Sequence, residues 1–225
     1  VALRQSEFSK KGIRDDHRYR YEWVEKSIAT GEDFRVLDFG CGTGYGSHIL
    51  HISNKFDYVL GADIDFESIQ IASTLYSVPG TLEYRQENLE NHWALFGILE
   101  SLRWARGKKK EIIVCAFEVI EHLKNPGPSL YILSKKCSHI FCSVPNEKVS
   151  PYTPGVSHPD HKRHYTVGEI TELLQENGWC IEIVMTQLEK EGLDSQVSLG
   201  VDGRTLVIQA ISKEYIHFKN EGWDI

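Results

Sequence analysis

Short apolar runs alternate along this chain with segments whose apolar residues recur every three or four positions. The runs over 35–39, 57–62, 81–85, 111–116 and 139–144 have the length and aliphatic content of strands buried on both faces. Between them, 44–51, 66–76, 91–103, 118–123 and 128–136 predict helices. Alternation of this kind makes a parallel sheet with right-handed crossovers. Ahead of the first strand, Asp15 to about Thr30 predicts an amphipathic helix carrying Tyr19, Trp23, Val24 and Ile28 and ending at Gly31. Near the end, Thr166-Val167-Gly168-Glu169 has the form of a capping box and opens another helix, which Gly178 closes. Two last strands, about 179–187 and 204–212, flank a polar, glycine-containing connection. The one long aperiodic stretch, Pro145 to Tyr165, is long enough in a compact domain to be expected to work as a functional loop.

Composition narrows the class without naming a function. A chain of 225 residues suits one α/β domain. Its 25 Lys and Arg against 32 Asp and Glu leave a net charge of −7, which opposes non-specific binding to nucleic acid. One basic strip, Arg103-Trp104-Ala105-Arg106-Gly107-Lys108-Lys109-Lys110, stands against that balance; its simplest reading is a solvated loop before a buried strand. The cysteines at 41, 115, 137, 142 and 180 are odd in number, lack C-x-x-C spacing and read as reduced core thiols. No apolar run approaches the length of a membrane span and no leader pattern opens the chain, so the expected location is cytoplasmic, with no membrane partner.

The first strand runs into Asp38-Phe39-Gly40-Cys41-Gly42-Thr43-Gly44, a turn in which glycines permit positive φ and a close approach of ligand to main chain. Tyr45 stands where a dinucleotide fingerprint requires glycine, and Asp38 would repel a pyrophosphate. Both features argue against a nicotinamide-dependent oxidoreductase. A carboxylate at that place suits a ligand with an ammonium group. Here the chain resembles the class I S-adenosylmethionine (SAM) dependent methyltransferases. The resemblance implies a Rossmann-like, seven-stranded, mostly parallel sheet with an antiparallel last strand and helices on both faces. It implies one domain over 1–225, with 1–33 as an N-terminal helical cap over the cofactor and 145–165 as the substrate and active-site loop. Asp38 would lie beside the methionine amino group, against the turn of Gly40, Gly42 and Gly44. Asp63, nineteen residues after Gly44, would accept from the ribose hydroxyls, and Ile64 would pack on the adenine face. Asn88 stands where the family usually has an aspartate facing the adenine amino group, with Leu89 beside it; Phe117 would line the methyl end.

Ligands of open α/β sheets sit outside the carboxyl ends of the strands. Two clusters fall there: Phe117-Glu118-Val119-Ile120-Glu121-His122 and His158-Pro159-Asp160-His161-Lys162-Arg163-His164-Tyr165-Thr166. On a helix, Glu118, Glu121 and His122 would share one face and, with His161 or His158, hold Mg, Mn, Fe or Zn to activate an acceptor hydroxyl. Two other readings stand beside this one: Glu121 and His122 as helix-terminal capping groups, or His122 or His161 as a metal-free general base. The clusters also resemble the E-x-x-E-H and H-x-D-H-x-F-E-W-T motifs of RNA 3′-terminal ribose 2′-O-methyltransferases, whose metal ligands would carry over to Glu118, Glu121, His122 and His161. Arg163, His164 and Tyr165 replace F-E-W, and the first string also occurs in methyltransferases of small molecules. The expected activity is therefore SAM-dependent methyl transfer to a hydroxyl oxygen of a small molecule of sugar or secondary-metabolite type. An RNA 3′-end is the second acceptor, since no aromatic-rich single-strand platform accompanies the domain. A non-catalytic SAM-binding partner subunit is the third reading.

Overall fold

A computed structural model describes residues 13–28, 34–107, 109–189, 192 and 196–221. Among them the chain runs α1 (Asp15–Ser27), β1 (Phe34–Phe39), α2 (Tyr45–Ile52), β2 (Val59–Asp63), α3 (Phe66–Tyr76), β3 (Leu82–Gln86), α4 (His92–Arg103), β4 (Glu111–Phe117), α5 (Pro126–Lys136), β5 (His139–Pro145), α6 (Val167–Glu176), β6 (Trp179–Gln187), β7 (Ser198–Leu199), β8 (Thr205–Ser212) and α7 (Lys213–Glu221). The strands form one sheet in the order β3-β2-β1-β4-β5-β8-β6-β7. β1 to β5 are parallel, and β8 runs antiparallel to both β5 and β6. The chain steps outward from β1 to β3, then returns to start again at β4. The β1/β4 junction is thus the switch point at which such sheets open a crevice.

The central strands β1, β2, β4 and β5 are buried almost throughout because both faces are covered, whereas β3 at the edge carries Glu83, Arg85 and Gln86. Leu37, Phe39, Val114 and Ile140 pack with α4, α5 and α6 on one side; Val36, Ile113 and Phe141 pack with α1 and α2 on the other.

Three expectations are corrected and one element is new. The sheet has eight strands, not seven, because the two-residue β7 pairs with Met185 and Thr186 of β6; two residues are too few to show a period. α7 follows β8 without a glycine or proline to announce it. The first helix ends at Ser27, and its expected stop at Gly31, like residues 1–12 of the expected cap, lies outside the described residues. The helix expected over 118–123 is a single 3-10 turn, Ile120–His122. The reason is a contact with a distant strand: the carbonyl and hydroxyl of Ser143 on β5 accept from the Glu118 N–H, and Glu118 is held at φ +54, a left-handed conformation that a right-handed helix does not include.

Candidate functional site

The glycine turn after β1 holds a conformation only glycine carries cheaply. Gly40, Gly42 and Gly44 have φ of +78, +53 and +84. A Cβ at Gly40 would lie 2.3 Å from Val119 Cγ2 and one at Gly44 2.5 Å from Ala72 Cβ, whereas one at Gly42 would meet nothing within 4 Å. Gly40 and Gly44 therefore serve packing, and Gly42 presents bare backbone to open space. The turn is tied to β2 by Asp63, whose Oδ2 accepts from Gly42 N–H at 2.8 Å and whose Oδ1 accepts from Asp65 N–H at 2.9 Å.

Between this turn and the loops after β3 and β4 lies a cavity of about 160 Å³, whose wall includes Gly40, Asp63, Ile64, Asn88, Leu89 and, at the other end, Glu118 and His122. Seven of the expected site residues thus share one cavity. Ile64 is 61% exposed although apolar. The Asn88 Oδ1 is turned to its own loop, accepting from Glu90 N–H at 3.0 Å. Asp38, Gly42, Gly44 and Phe117 are not part of the cavity wall. Asp38 is buried and accepts from Tyr21 Oη at 3.0 Å and Ser47 Oγ at 2.6 Å. Burial pushes its carboxyl up to about 6, against the pull of these two hydroxyls. Phe117 is also buried, edge-on to the Tyr21 ring at 5.0 Å between centroids. Tyr21 of α1 covers both.

The second cluster is not the helical face its sequence predicts. The left-handed Glu118 turns its Oε1 to the Ser143 hydroxyl at 3.0 Å and toward Arg20 Nη1 at 3.5 Å. Glu121 points inward. It is fully buried, neither carboxyl oxygen has a hydrogen-bond partner among the described residues, and burial with the nearby Glu118 charge holds it well above the carboxylate range. The side chains that meet as candidate metal ligands are His122, His158 and His161, with one ring nitrogen of each within 4.8 Å of the others. The set expected from sequence, Glu118, Glu121, His122 and His161, is replaced in this grouping by three imidazoles, because the 3-10 turn rotates Glu121 away from His122. Lys162 N–H donates to Glu121 O at 2.8 Å and Tyr152 Oη to His161 O at 3.2 Å, which holds the histidine loop against the turn. Burial, then the neighbouring imidazoles, lower His161 to about 4, so it is neutral at neutral pH, and it hydrogen-bonds His164 at 2.8 Å. Thr166, the last residue of the matched loop motif, caps α6 instead through its reciprocal bonds with Glu169.

Arg20 escaped the sequence reading. It is buried on α1, where Nε donates to Gln187 Oε1 at 2.6 Å and Nη2 to Asp16 Oδ2 at 3.2 Å, while Nη1 faces Glu118. Its spacing from Asp16 signalled an i, i+4 pair; nothing local signalled β6 or Glu118.

Residues 6–183 match the family model described as a methyltransferase domain. The chain belongs to this methyltransferase family. A member of this family, it is 26% identical over 125 residues to the ubiquinone biosynthesis O-methyltransferase of Leptothrix cholodnii, across 55% of this chain and 47% of the relative, so the alignment spans about half the length of that protein. Its fold is similar to that of a methyltransferase solved in complex with the Trm112 methyltransferase activator of Haloferax volcanii, with a TM-score of 0.69, 14% identity and 94% of each chain covered. It is likewise similar to the N-methyltransferase NodS of Bradyrhizobium japonicum, solved with S-adenosyl-L-homocysteine, with a TM-score of 0.61, 12% identity and 94% and 97% of the two chains covered. No helix among the described residues is long and apolar enough to cross a membrane.

Proposed function

We propose that the chain is a SAM-dependent methyltransferase acting on a hydroxyl oxygen of a small molecule. The observation that carries this reading is the shared cavity: Asp63, Ile64 and Asn88 line one end, and Glu118 and His122 line the other. Family membership and the O-methyltransferase relative support it. Bound there, SAM supplies an electrophilic sulfonium methyl. Ile64 offers an uncovered apolar face for the adenine, and the lone pairs that Asp63 retains accept from the ribose diol. Asp38 sets a carboxylate under the methionine ammonium once Tyr21 yields. An acceptor hydroxyl held between His122 and His161 would pass its proton to one of the two imidazoles as its oxygen takes the methyl and the sulfonium leaves as the thioether S-adenosylhomocysteine. His122, His158 and His161 fit a divalent ion, and an all-imidazole set suits Zn or Fe better than Mg. Such an ion would lower the pKa of a hydroxyl bound to it.

The test is calorimetric titration of the metal-stripped protein with S-adenosylhomocysteine, repeated with Zn, Mn and Mg and with His161→Ala, followed by a turnover screen. Cofactor binding, one Zn site lost in His161→Ala, and methylation of hydroxylated small molecules are expected. Failure to bind cofactor would sink the reading. Turnover on RNA 3′-ends alone, or on amines alone, would replace the acceptor; cofactor binding without any turnover would make the chain a partner subunit.

A further inference from the structure

At the opposite edge of the sheet, where β4 begins, the ends of α4 and α5 meet α7 around a second cavity of about 240 Å³. The mechanism above uses none of it. Its wall brings Arg103 and Lys109, both from the basic strip of the sequence, together with Lys135, Lys136 and two carboxylates, Glu111 and Glu214. Lys135 pairs with Glu214 at 2.7 Å and Lys136 with Glu100 at 2.8 Å, which leaves Arg103 and Lys109 against Glu111 on the wall, a positive balance in a chain whose net charge is −7. Aromatic rings are interleaved with these cations. Lys136 Nζ lies 4.5 Å from the Phe96 ring centre, Lys135 Nζ 5.3 Å from Tyr131 and Lys219 Nζ 4.9 Å from Tyr215, with Phe218 on the cavity wall.

Two polar atoms here are buried and lack a hydrogen-bond partner among the described residues: Arg103 Nε, a donor, and Glu111 Oε1, an acceptor. Unmet groups of this kind are costly unless a ligand or water answers them. A bare anion would answer the cations but not Glu111, which repels it, and has no use for the rings. An apolar ligand would leave both polar atoms unmet. What matches all of them is a molecule with a phosphate for Lys109 and Arg103, a flat ring for Phe218 and Tyr215, and an N–H or O–H for Glu111. The volume suits one such unit, being just under the roughly 300–1,000 Å³ of drug-sized sites.

We propose that the cavity walled by Arg103, Lys109, Glu111, Lys136, Tyr215 and Phe218 is a second ligand site that takes a nucleotide unit, distinct from the site at the strand carboxyl ends. α4 begins three residues after Leu89 of the first cavity and ends at Arg103. One rigid helix, about 18 Å long at 1.5 Å per residue, therefore connects the two. A free nucleotide and one nucleotide of a single strand offer the same chemistry.

The test is titration of the full chain, kept saturated with S-adenosylhomocysteine so that adenosine cannot enter the first site, with AMP, inorganic phosphate and a short single-stranded oligoadenylate. Saturable binding is expected, weakened about tenfold by Lys109→Glu and at least about fivefold by Phe218→Ala. Separate titrations should find S-adenosylhomocysteine affinity unchanged in both variants. Oligomer affinity within about tenfold of AMP supports a free nucleotide, and a larger gain for the oligomer supports a strand. No saturable binding of either probe, binding indifferent to both substitutions, or phosphate binding as tightly as AMP would overturn the assignment.

Discussion

Asp38 shows how one buried carboxyl ties stability to binding. Its pKa is raised by burial from 3.8 to about 6. The folded state therefore favours the neutral acid: the stabilisation is complete below pH 3.8 and is lost as pH rises through 6. Above that the fold carries a buried charge answered only by Tyr21 and Ser47. Asp38→Asn is expected to raise stability at pH 7 by up to about 3 kcal/mol, with the gain fading as pH falls from 6 to 4, while weakening cofactor binding because the ammonium loses its counter-charge. Thermal melts across pH and titration with S-adenosylhomocysteine read the two effects separately. The glycines of the turn separate in the same way. Gly44→Ala meets both a positive φ and Ala72, whereas Gly42→Ala meets only the φ, worth about 1–2 kcal/mol. Gly44→Ala should thus lose the more stability on denaturant unfolding, and Gly42→Ala should lose more cofactor affinity than stability. Arg20→Met removes one of the two guanidinium groups that hold the buried Asp16, the other being Arg14, whose Nε donates to Asp16 Oδ1 at 3.1 Å, and is expected to cost about 1–3 kcal/mol, measured by the denaturant midpoint.

At the scale of elements, α1 and the histidine loop are tied by bonds between distant segments to the residues that follow the strands. α1 reaches across with Tyr21 to Asp38 and with Arg20 to Glu118 and Gln187, so one helix is bonded to β1, β6 and the residue just after β4. The loop over 145–165 is anchored at both ends, by Glu147 N–H to Tyr165 O at 2.9 Å and by the Lys162 bond to Glu121 O. α6 follows with its own stop and start signals, and Thr166 belongs to it rather than to the site. Thr166→Ala is accordingly expected to lose about 1 kcal/mol of stability with cofactor affinity unchanged; a loss of binding or turnover beyond that would return Thr166 to the site.

For the whole molecule, a cofactor held between the two halves of the sheet binds only the folded state. At about 100 times its Kd, S-adenosylhomocysteine should stabilise the fold by about 2.7 kcal/mol, a rise in Tm of roughly 5–11 °C for a chain of this size. A thermal shift series against ligand concentration checks it. The organisation that makes this so was legible early. The strand and helix alternation and the capping box at Thr166 are set by residues within a few positions of one another, and the spacing of Gly44 to Asp63 by a single crossover, so local sequence was enough to read them. So was the pairing of the turn with Ile64, Asn88 and Leu89, because a parallel sheet places all its strand ends at one edge. What the tertiary structure alone decided lies in contacts between distant segments. Ser143 on β5 captures Glu118, breaks the helix expected over 118–123 and sends Glu121 into the interior. The long loop then supplies His158 and His161 to His122. Arg20 finds Glu118 from the far end of the chain, and the basic strip closes a cavity with α7, which no local signal announces. Period and capping are properties of neighbours along the chain; burial, left-handed φ and side-chain convergence depend on which segments pack together, and packing belongs to the fold.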